Sequence, residues 1–386
     1  MKIAHITLSF ERGGRREAIL NLARGLNALG IGSSLVVLDQ FGCPDELING
    51  QFNESLSLER SGAWDRAAWR TLREFCDSRG IDVMHTHDAA SLFAAVGSNL
   101  RGNRCVLMTF HRSRPLETAT ARDRLRNALA LRRCQAVVTT SSERLRHFAE
   151  ENFVSRRKLL TLPLGVDLER FRFDPQSRDR IRTEVGCGDD TLLIGAVGHF
   201  GPEKGLDLVV DACAQLHQRD PAARWQLVLL GTGTAEDQTR IREHAAALPQ
   251  ERLHFAGFRD DAHRWFSAFD VVAHGAREEA FGLVLVEAMA AGRPVVAPSV
   301  GGITDIIVDQ DTGMLCPPED SGALAAALEM LVRNPTLRTR MGVASRERAE
   351  SQYRLDVYAQ RHARLYEALA AGRKDFDGWD PDDVAG

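Results

Sequence analysis

The sequence predicts an α/β protein made of two doubly wound domains. Three observations carry that expectation. At 386 residues, two domains are a better fit than a single core. Short apolar runs alternate with helix-period patterns along both halves, which favours parallel sheets covered by helices. Between the halves, apolar periodicity lapses from Pro163-Leu164-Gly165-Val166-Asp167 to about Asp190, with proline and glycine as punctuation.

In the first half, strands are expected over 3–8, 34–38, 83–86, 106–109, 136–139 and 159–162. In the second they are expected over 192–197, 225–230, 253–256, 271–274, 294–297 and 314–316. The expected organisation is a domain over 1–165, a linker over 166–190 and a domain over 191–352. An amphipathic helix over 353–372 follows, with the option of packing back on the first domain, and the acidic tail 373–386 reads as disordered. Two such domains imply a central cleft at the carboxyl ends of both sheets, where ligands bind in open α/β folds.

Composition excludes several classes. No apolar run approaches a membrane span. The opening Met1-Lys2-Ile3-Ala4-His5-Ile6-Thr7-Leu8 reads as a buried strand rather than a signal peptide, so the expected location is cytoplasmic. Seven cysteines without a Cys-x-x-Cys pair give neither a disulfide framework nor a zinc site. The net charge of −4 is uneven: residues 101–158 carry +9. That is too local for nucleic-acid binding. It suits an anionic membrane surface, on the inner face of the cytoplasmic membrane, or a solvated arginine-rich face. A helix over 118–134, with Leu125, Ala128 and Leu129 among Arg122, Arg126, Arg132 and Arg133, is the candidate membrane contact.

The most informative stretch runs from Glu278 to Ala297. It sets Glu279 before a helix and Glu287 inside it, around Phe281-Gly282-Leu283. The first amides of a helix lack internal partners and carry partial positive charge, which suits a phosphate. Carboxylates accept hydrogen bonds from sugar hydroxyls. Together they suggest a site for a sugar joined to a phosphate.

Other segments add to it. Lys204 in Gly198-His199-Phe200-Gly201-Pro202-Glu203-Lys204-Gly205 follows a strand end, where an ammonium can neutralise a diphosphate. Gly231-Thr232-Gly233-Thr234 is either a tight turn or a phosphate contact, and lacks the dinucleotide fingerprint. Gly13-Gly14 lets a ligand approach the backbone. Phe258, after Gly257, either covers a nucleobase or packs a turn. His85 and His87 share one face of a strand, and His111 follows the next strand. No acidic cluster accompanies them and no Asp-x-Asp occupies a cleft position, so a metal is disfavoured.

Taken together, these segments resemble the retaining GT-B glycosyltransferases of glycosyltransferase family 4. The resemblance covers nearly the whole chain. It rests on Gly13-Gly14, His85-Thr86-His87-Asp88, His111, Pro163 to Asp167 with Phe171, Lys204-Gly205 and Gly257-Phe258. It is most specific from Glu279 to Val296, and Gly301-Gly302 before Asp305 also fits. It implies a GT-B architecture, two Rossmann-like domains facing a cleft. The implied reaction is metal-independent transfer of a sugar from a nucleotide-diphosphate sugar to an acceptor hydroxyl, with retention. The donor is a substrate, and no cofactor is implied. The implied acceptor is a glycan or glycolipid of cell-surface polysaccharide or lipopolysaccharide assembly.

By the same resemblance, Glu287 holds the ribose. Glu279 and the amides near Phe281, Gly282 and Leu283 hold the sugar and phosphates. Lys204 stabilises the diphosphate, and His111 lies near the transferred sugar. Gly14, His199 and Phe258 fall on the donor side, Gly13 and His87 on the acceptor side. The chain departs from the family pattern at His199, where an arginine is frequent, at Ala280 for glycine and at Asp305 for glutamate. The rival readings are a phosphorylase or nucleotide-sugar epimerase of the same architecture, or a non-catalytic scaffold binding sugar nucleotides.

Overall fold

The computed structural model describes residues 1–42, 45–100, 102–112, 120–152 and 154–382. They form two compact units, Met1–Gly165 with Leu355–Gly386, and Val166–Arg354.

The first unit holds seven strands: β1 (Ile3–Thr7), β2 (Ser33–Val37), β3 (Ser55–Ser57), β4 (Val83–Thr86), β5 (Cys105–Phe110), β6 (Ala136–Thr139) and β7 (Leu159–Thr161). All pair in parallel, in the order β3-β2-β1-β4-β5-β6-β7. Helices cover both faces, so central strands such as β1 are buried throughout. The unexpected strand is β3. Its Ser-Leu-Ser sequence at a half-exposed sheet edge has no apolar run to announce it.

Helix Leu355–Ala370 belongs to this unit and lays Tyr358, His362 and Tyr366 into its core. The tail corrects an expectation. Its described part is folded: Phe376 is 2% exposed, and its amide donates to the Arg157 carbonyl at 2.7 Å. Trp379 packs on Phe376, and Asp382 pairs with Arg361. The aspartates give this stretch a disordered composition, while two aromatics anchor it. Residues 383–386 lie outside the described residues.

The second unit holds β8 (Leu192–Val197), β9 (Trp225–Leu230), β10 (Leu253–Gly257), β11 (Val271–Ala273), β12 (Val295–Pro298) and β13 (Gly313–Cys316). They too are parallel, in the order β10-β9-β8-β11-β12-β13. Segment 166–190, expected as a linker, is part of this unit. It carries helix Pro175–Glu184, whose Arg178 and Arg182 both bind Asp270, at 2.8 and 3.1 Å. The buried Arg182 and half-buried Arg178 interrupt the apolar period, which is why the helix reads as polar.

Each sheet winds outward from its first strand, then crosses back. The reversal falls between β1 and β4 in one unit and between β8 and β11 in the other. Ligands in open α/β sheets bind beyond the carboxyl ends at that point. No described helix is long and apolar enough to cross a membrane.

Candidate functional site

The loops after β8 and β11, the two strands at the switch of the second unit, bring Lys204 and Glu279 together. The chain leaves β8 into the short turn Pro202–Lys204. It leaves β11 through His274 into the loop that carries Glu279. Lys204 Nζ donates to Glu279 Oε2 at 2.8 Å. His274 Nε2 lies 3.3 Å from the same oxygen, a close contact whose angle falls short of a well-formed hydrogen bond. Burial alone would raise the Glu279 pKa, but the His274 contact and the Lys204 ammonium outweigh it and hold the carboxyl at about 2. Glu279 is therefore a fixed anion at any working pH.

Arg277 fastens the two loops. Its amide donates to the Glu203 carbonyl at 2.9 Å, and its guanidinium donates to Pro202 O at 2.7 Å and bidentately to Asp207. Arg277 and His274 were not singled out in the sequence. The only signal for His274 is its place at a strand end, five residues before Glu279.

Helix Leu283–Ala290 starts beside Glu279. Its N-cap is Gly282, at φ +107°, and no side chain caps the helix. A left-handed residue there costs little only as glycine, and its missing side chain keeps the first amides open. Gly301 is needed for a different reason. A Cβ on it would lie 2.0 Å from the Glu279 carbonyl oxygen, which accepts from the Gly302 amide at 2.9 Å. Glu287 stands in the second turn of the helix, partly buried. Phe281 is 3% exposed and packs edge-on against Tyr353, so it offers a ligand its backbone and not its ring. Leu283 opens the helix and is half-buried.

The remaining candidates of this unit make contacts other than with the ion pair. His199 is exposed, and its Nδ1 accepts from the Gly201 amide at 3.0 Å, which turns that nitrogen into its own loop. Thr234 caps helix Ala235–Ala245 in a capping box with Asp237, so Gly231 to Thr234 is a helix-start turn. Phe258 is exposed beyond β10, the edge strand of the sheet.

In the first unit, Gly13 is the N-cap of helix Gly14–Ala28, again without a side-chain cap, and Gly14 is its first residue. Asp88 caps helix Ala89–Ser98 and accepts from the Leu8 amide and the Thr7 hydroxyl, tying the ends of β1 and β4 together. His85 lies on β4, His87 just beyond it and His111 just beyond β5. His87 Nδ1 stands 3.0 Å from His111 Nε2.

This geometry can be set against known proteins. A family model described as glycosyl transferases group 1 matches residues 177–348, and one described as glycosyltransferase family 4 matches residues 12–170. The chain is 33% identical over 234 residues to a D-inositol 3-phosphate glycosyltransferase of Saccharomonospora viridis, covering 55% of this chain and 51% of that one. To the Kribbella flavida protein of the same name it is 34% identical over 198 residues, covering 48% and 45%. The chain thus spans about half the length of the curated relatives it matches.

Among solved structures, Anabaena Alr3699/HepE in complex with UDP superposes with a TM-score of 0.83 at 20% identity, covering 96% of this chain and 100% of that one. Sucrose-phosphate synthase from Thermosynechococcus elongatus gives 0.80 at 22%, covering 96% and 99%. WaaG, a glycosyltransferase involved in lipopolysaccharide biosynthesis, gives 0.70 at 18%, also covering 96% and 99%. At these identities the likeness is one of fold, and that fold is GT-B. With one family model on each half, the chain belongs to the family 4 glycosyltransferases, the glycosyl transferases group 1.

Proposed function

We propose that the protein is a retaining, metal-independent glycosyltransferase that moves a sugar from a nucleotide-diphosphate sugar to an acceptor hydroxyl. One observation carries this reading. An ammonium and a permanently ionised carboxylate are held 2.8 Å apart beside an uncapped helix N-terminus, at the switch point of a doubly wound sheet. Lys204 and the free amides supply the positive charge that a departing diphosphate needs, without a cation in that role. Glu279 accepts hydrogen bonds from sugar hydroxyls, and Glu287 accepts those of the ribose. His111 serves the transferred sugar and the acceptor. The UDP bound in the Anabaena neighbour supports a uridine donor.

The acceptor we favour is a glycan or glycolipid of cell-surface assembly. A phosphorylated cyclitol is the second reading, favoured by the name of the curated relatives. Helix Ala121–Arg133 supports peripheral attachment to the cytoplasmic membrane as part of this reading. Leu125 and Leu129 stand 63% and 52% exposed, a turn apart and flanked by exposed Arg122, Arg132 and Arg133. Residues 118–119 of the expected helix lie outside the described residues. Stronger sedimentation with anionic than with neutral vesicles is expected, and equal binding refutes charge-driven docking.

The primary test is thermal stability against nucleoside diphosphates and their sugars, with and without divalent cation, followed by NMR of the anomeric linkage formed. A rise for one nucleotide without metal, and an α-linked product from an α-linked donor, is expected. Binding only with metal, or an inverted product, refutes the corresponding half of the reading.

A further inference from the structure

Beyond the donor site, the first unit gathers five imidazoles, four of them buried, around β1, β4, β5 and helix Leu355–Ala370. His5 and His85 are register partners on β1 and β4. His5 Nδ1 lies 3.1 Å from His87 Nε2, and His87 Nδ1 lies 3.0 Å from His111 Nε2. These three rings form a hydrogen-bonded chain. It starts at His5 Nε2, which is buried without a partner, and ends at His111, which is only half-buried.

We propose that His5 and His87 fix the tautomer of His111, so that His111 Nδ1 carries a proton and offers it as a hydrogen bond to a ligand oxygen. His5 and His87 are then positioning residues. The claim that this oxygen belongs to a sugar rests on the transferase reading; the tautomer does not.

The argument is one of counting protons. A neutral imidazole has one N–H and one lone pair. Along a neutral chain all rings must therefore point the same way, or two protons or two lone pairs meet. With every Nδ1 protonated, His5 donates to His87, His87 donates to His111, and His111 Nδ1–H faces outward. The end left over is a bare lone pair on His5 Nε2. With every Nε2 protonated, the leftover is a buried N–H without an acceptor, and orphaned buried N–H groups are the rarer and costlier kind.

The same cluster contains a precedent. His362 Nδ1 lies 3.0 Å from the Tyr358 carbonyl, which can only accept, so His362 is Nδ1-protonated. Its bare Nε2 is likewise buried without a partner. A charged chain is disfavoured too. Burial holds His87 and His111 below the ordinary histidine range, and Arg15 adds to the effect at both.

A cation held by His5, His85 and His87 is the competing use of this cluster, since ring nitrogens of all three lie within 4.8 Å of one another. Both nitrogens of His85 are already engaged, with Tyr366 Oη at 2.8 Å and Thr109 Oγ1 at 2.7 Å. Binding would have to break those contacts.

The test is long-range proton–nitrogen NMR of the full chain with labelled histidine at pH 7.5, without substrate. The His111 signal is expected as Nδ1-protonated. In His87→Asn the amide can still donate to His111 Nε2, so the tautomer should persist. In His87→Leu no donor remains. His111 should then sample both tautomers, and kcat should fall about tenfold with little change in the KM of the donor. An Nε2-protonated or doubly protonated His111 in the unmodified protein overturns the inference, as does an unchanged His111 tautomer in His87→Leu. The spectrum needs no substrate, so failure of the transferase reading would show in turnover alone.

Discussion

Acidification should unfold the first unit well before Glu279 of the second unit is protonated. His5, His85, His87 and His362 are at most 2% exposed. Burial pushes all four pKa values down from 6.5, to about 3 for His5 and about 4 for His362. The sign follows from proton counting. Between the folded and unfolded pKa values the unfolded state binds more protons, so stability falls as pH falls through 6.5 toward 4. At pH 5 each such histidine costs about 2 kcal/mol of stability relative to pH 8, and at pH 6 about 0.8 kcal/mol. The protons are taken up by the unfolded chain, where the four titrate independently, so the costs add to roughly 8 kcal/mol at pH 5. That is comparable to the whole stability of a typical domain, about 5–15 kcal/mol. Glu279, lowered from 4.5 to about 2, destabilises only below 4.5 and cannot be confused with this effect. The assay is urea unfolding at half-unit steps from pH 8 to 5, with hydrogen exchange to assign the transition to a unit. His362→Gln should reduce the slope of stability against pH by about one proton near pH 5, whatever its absolute effect. A stability that stays flat from pH 7.5 to 5 would show that these rings are protonated or hydrated in the folded protein and refute the reasoning.

Other outcomes follow from the donor site. Lys204→Ala and Glu279→Ala should each lower kcat by ~10²–10³, the scale of one preorganised charge contact; near-normal turnover in both would remove the pair from the chemistry. Glu287→Ala should weaken nucleotide affinity by about tenfold or more in calorimetry and leave kcat at saturating donor within a few-fold. Gly301→Ala forces a Cβ to within 2.0 Å of the Glu279 carbonyl at φ +52°, so the loop must move. It should lose donor binding while a control at Gly292, which has room for a Cβ, should not. Phe376→Ala removes a buried ring from the tail and should cost about 3 kcal/mol of stability in the first unit, read from its denaturation midpoint.

How much of this was legible in the sequence depends on whether a feature is local. Strands β4, β6, β8 and β9 coincide with the apolar runs that announce them, because a strand buried on both faces must be apolar throughout. The Glu279 to Val296 block was legible for the same reason, since its carboxylates, glycine and helix follow one another in sequence. The misses depend on contacts distant in sequence. Helix Pro175–Glu184 reads as a polar linker because the charge partner of its Arg178 and Arg182, Asp270, lies about ninety residues away. Arg277 reads as a surface charge until Asp207, seventy residues earlier, is placed beside it. The tail reads as disordered until Phe376 finds the Arg157 carbonyl. Polar residues reveal their burial only through such partners, and no window on the sequence contains both.

The two units share one winding and use its reversal in opposite electrostatic ways. Between β8 and β11 the chain keeps charge: a buried anion is tolerated because Lys204 and His274 touch it, and removing the Lys204 ammonium would leave that anion without its cation. Between β1 and β4 the buried rings themselves carry no charge: burial disfavours the imidazolium, tyrosine and threonine meet His85, and His5, His87 and His111 bond one another, while the charged Asp88 and Arg15 pair beyond the strand ends. A diphosphate suits the first environment, where fixed charge is worth most, and a neutral hydroxyl suits the second, where an oriented N–H can align it without competing for its proton. The proposed division of labour, an anionic donor in one unit and a neutral acceptor in the other, accords with what each switch point buries. His85→Glu places a charge among rings that hold no cation to meet it and should lower the denaturation midpoint of the first unit far more than His274→Lys, whose ammonium would meet the Glu279 carboxylate, lowers that of the second.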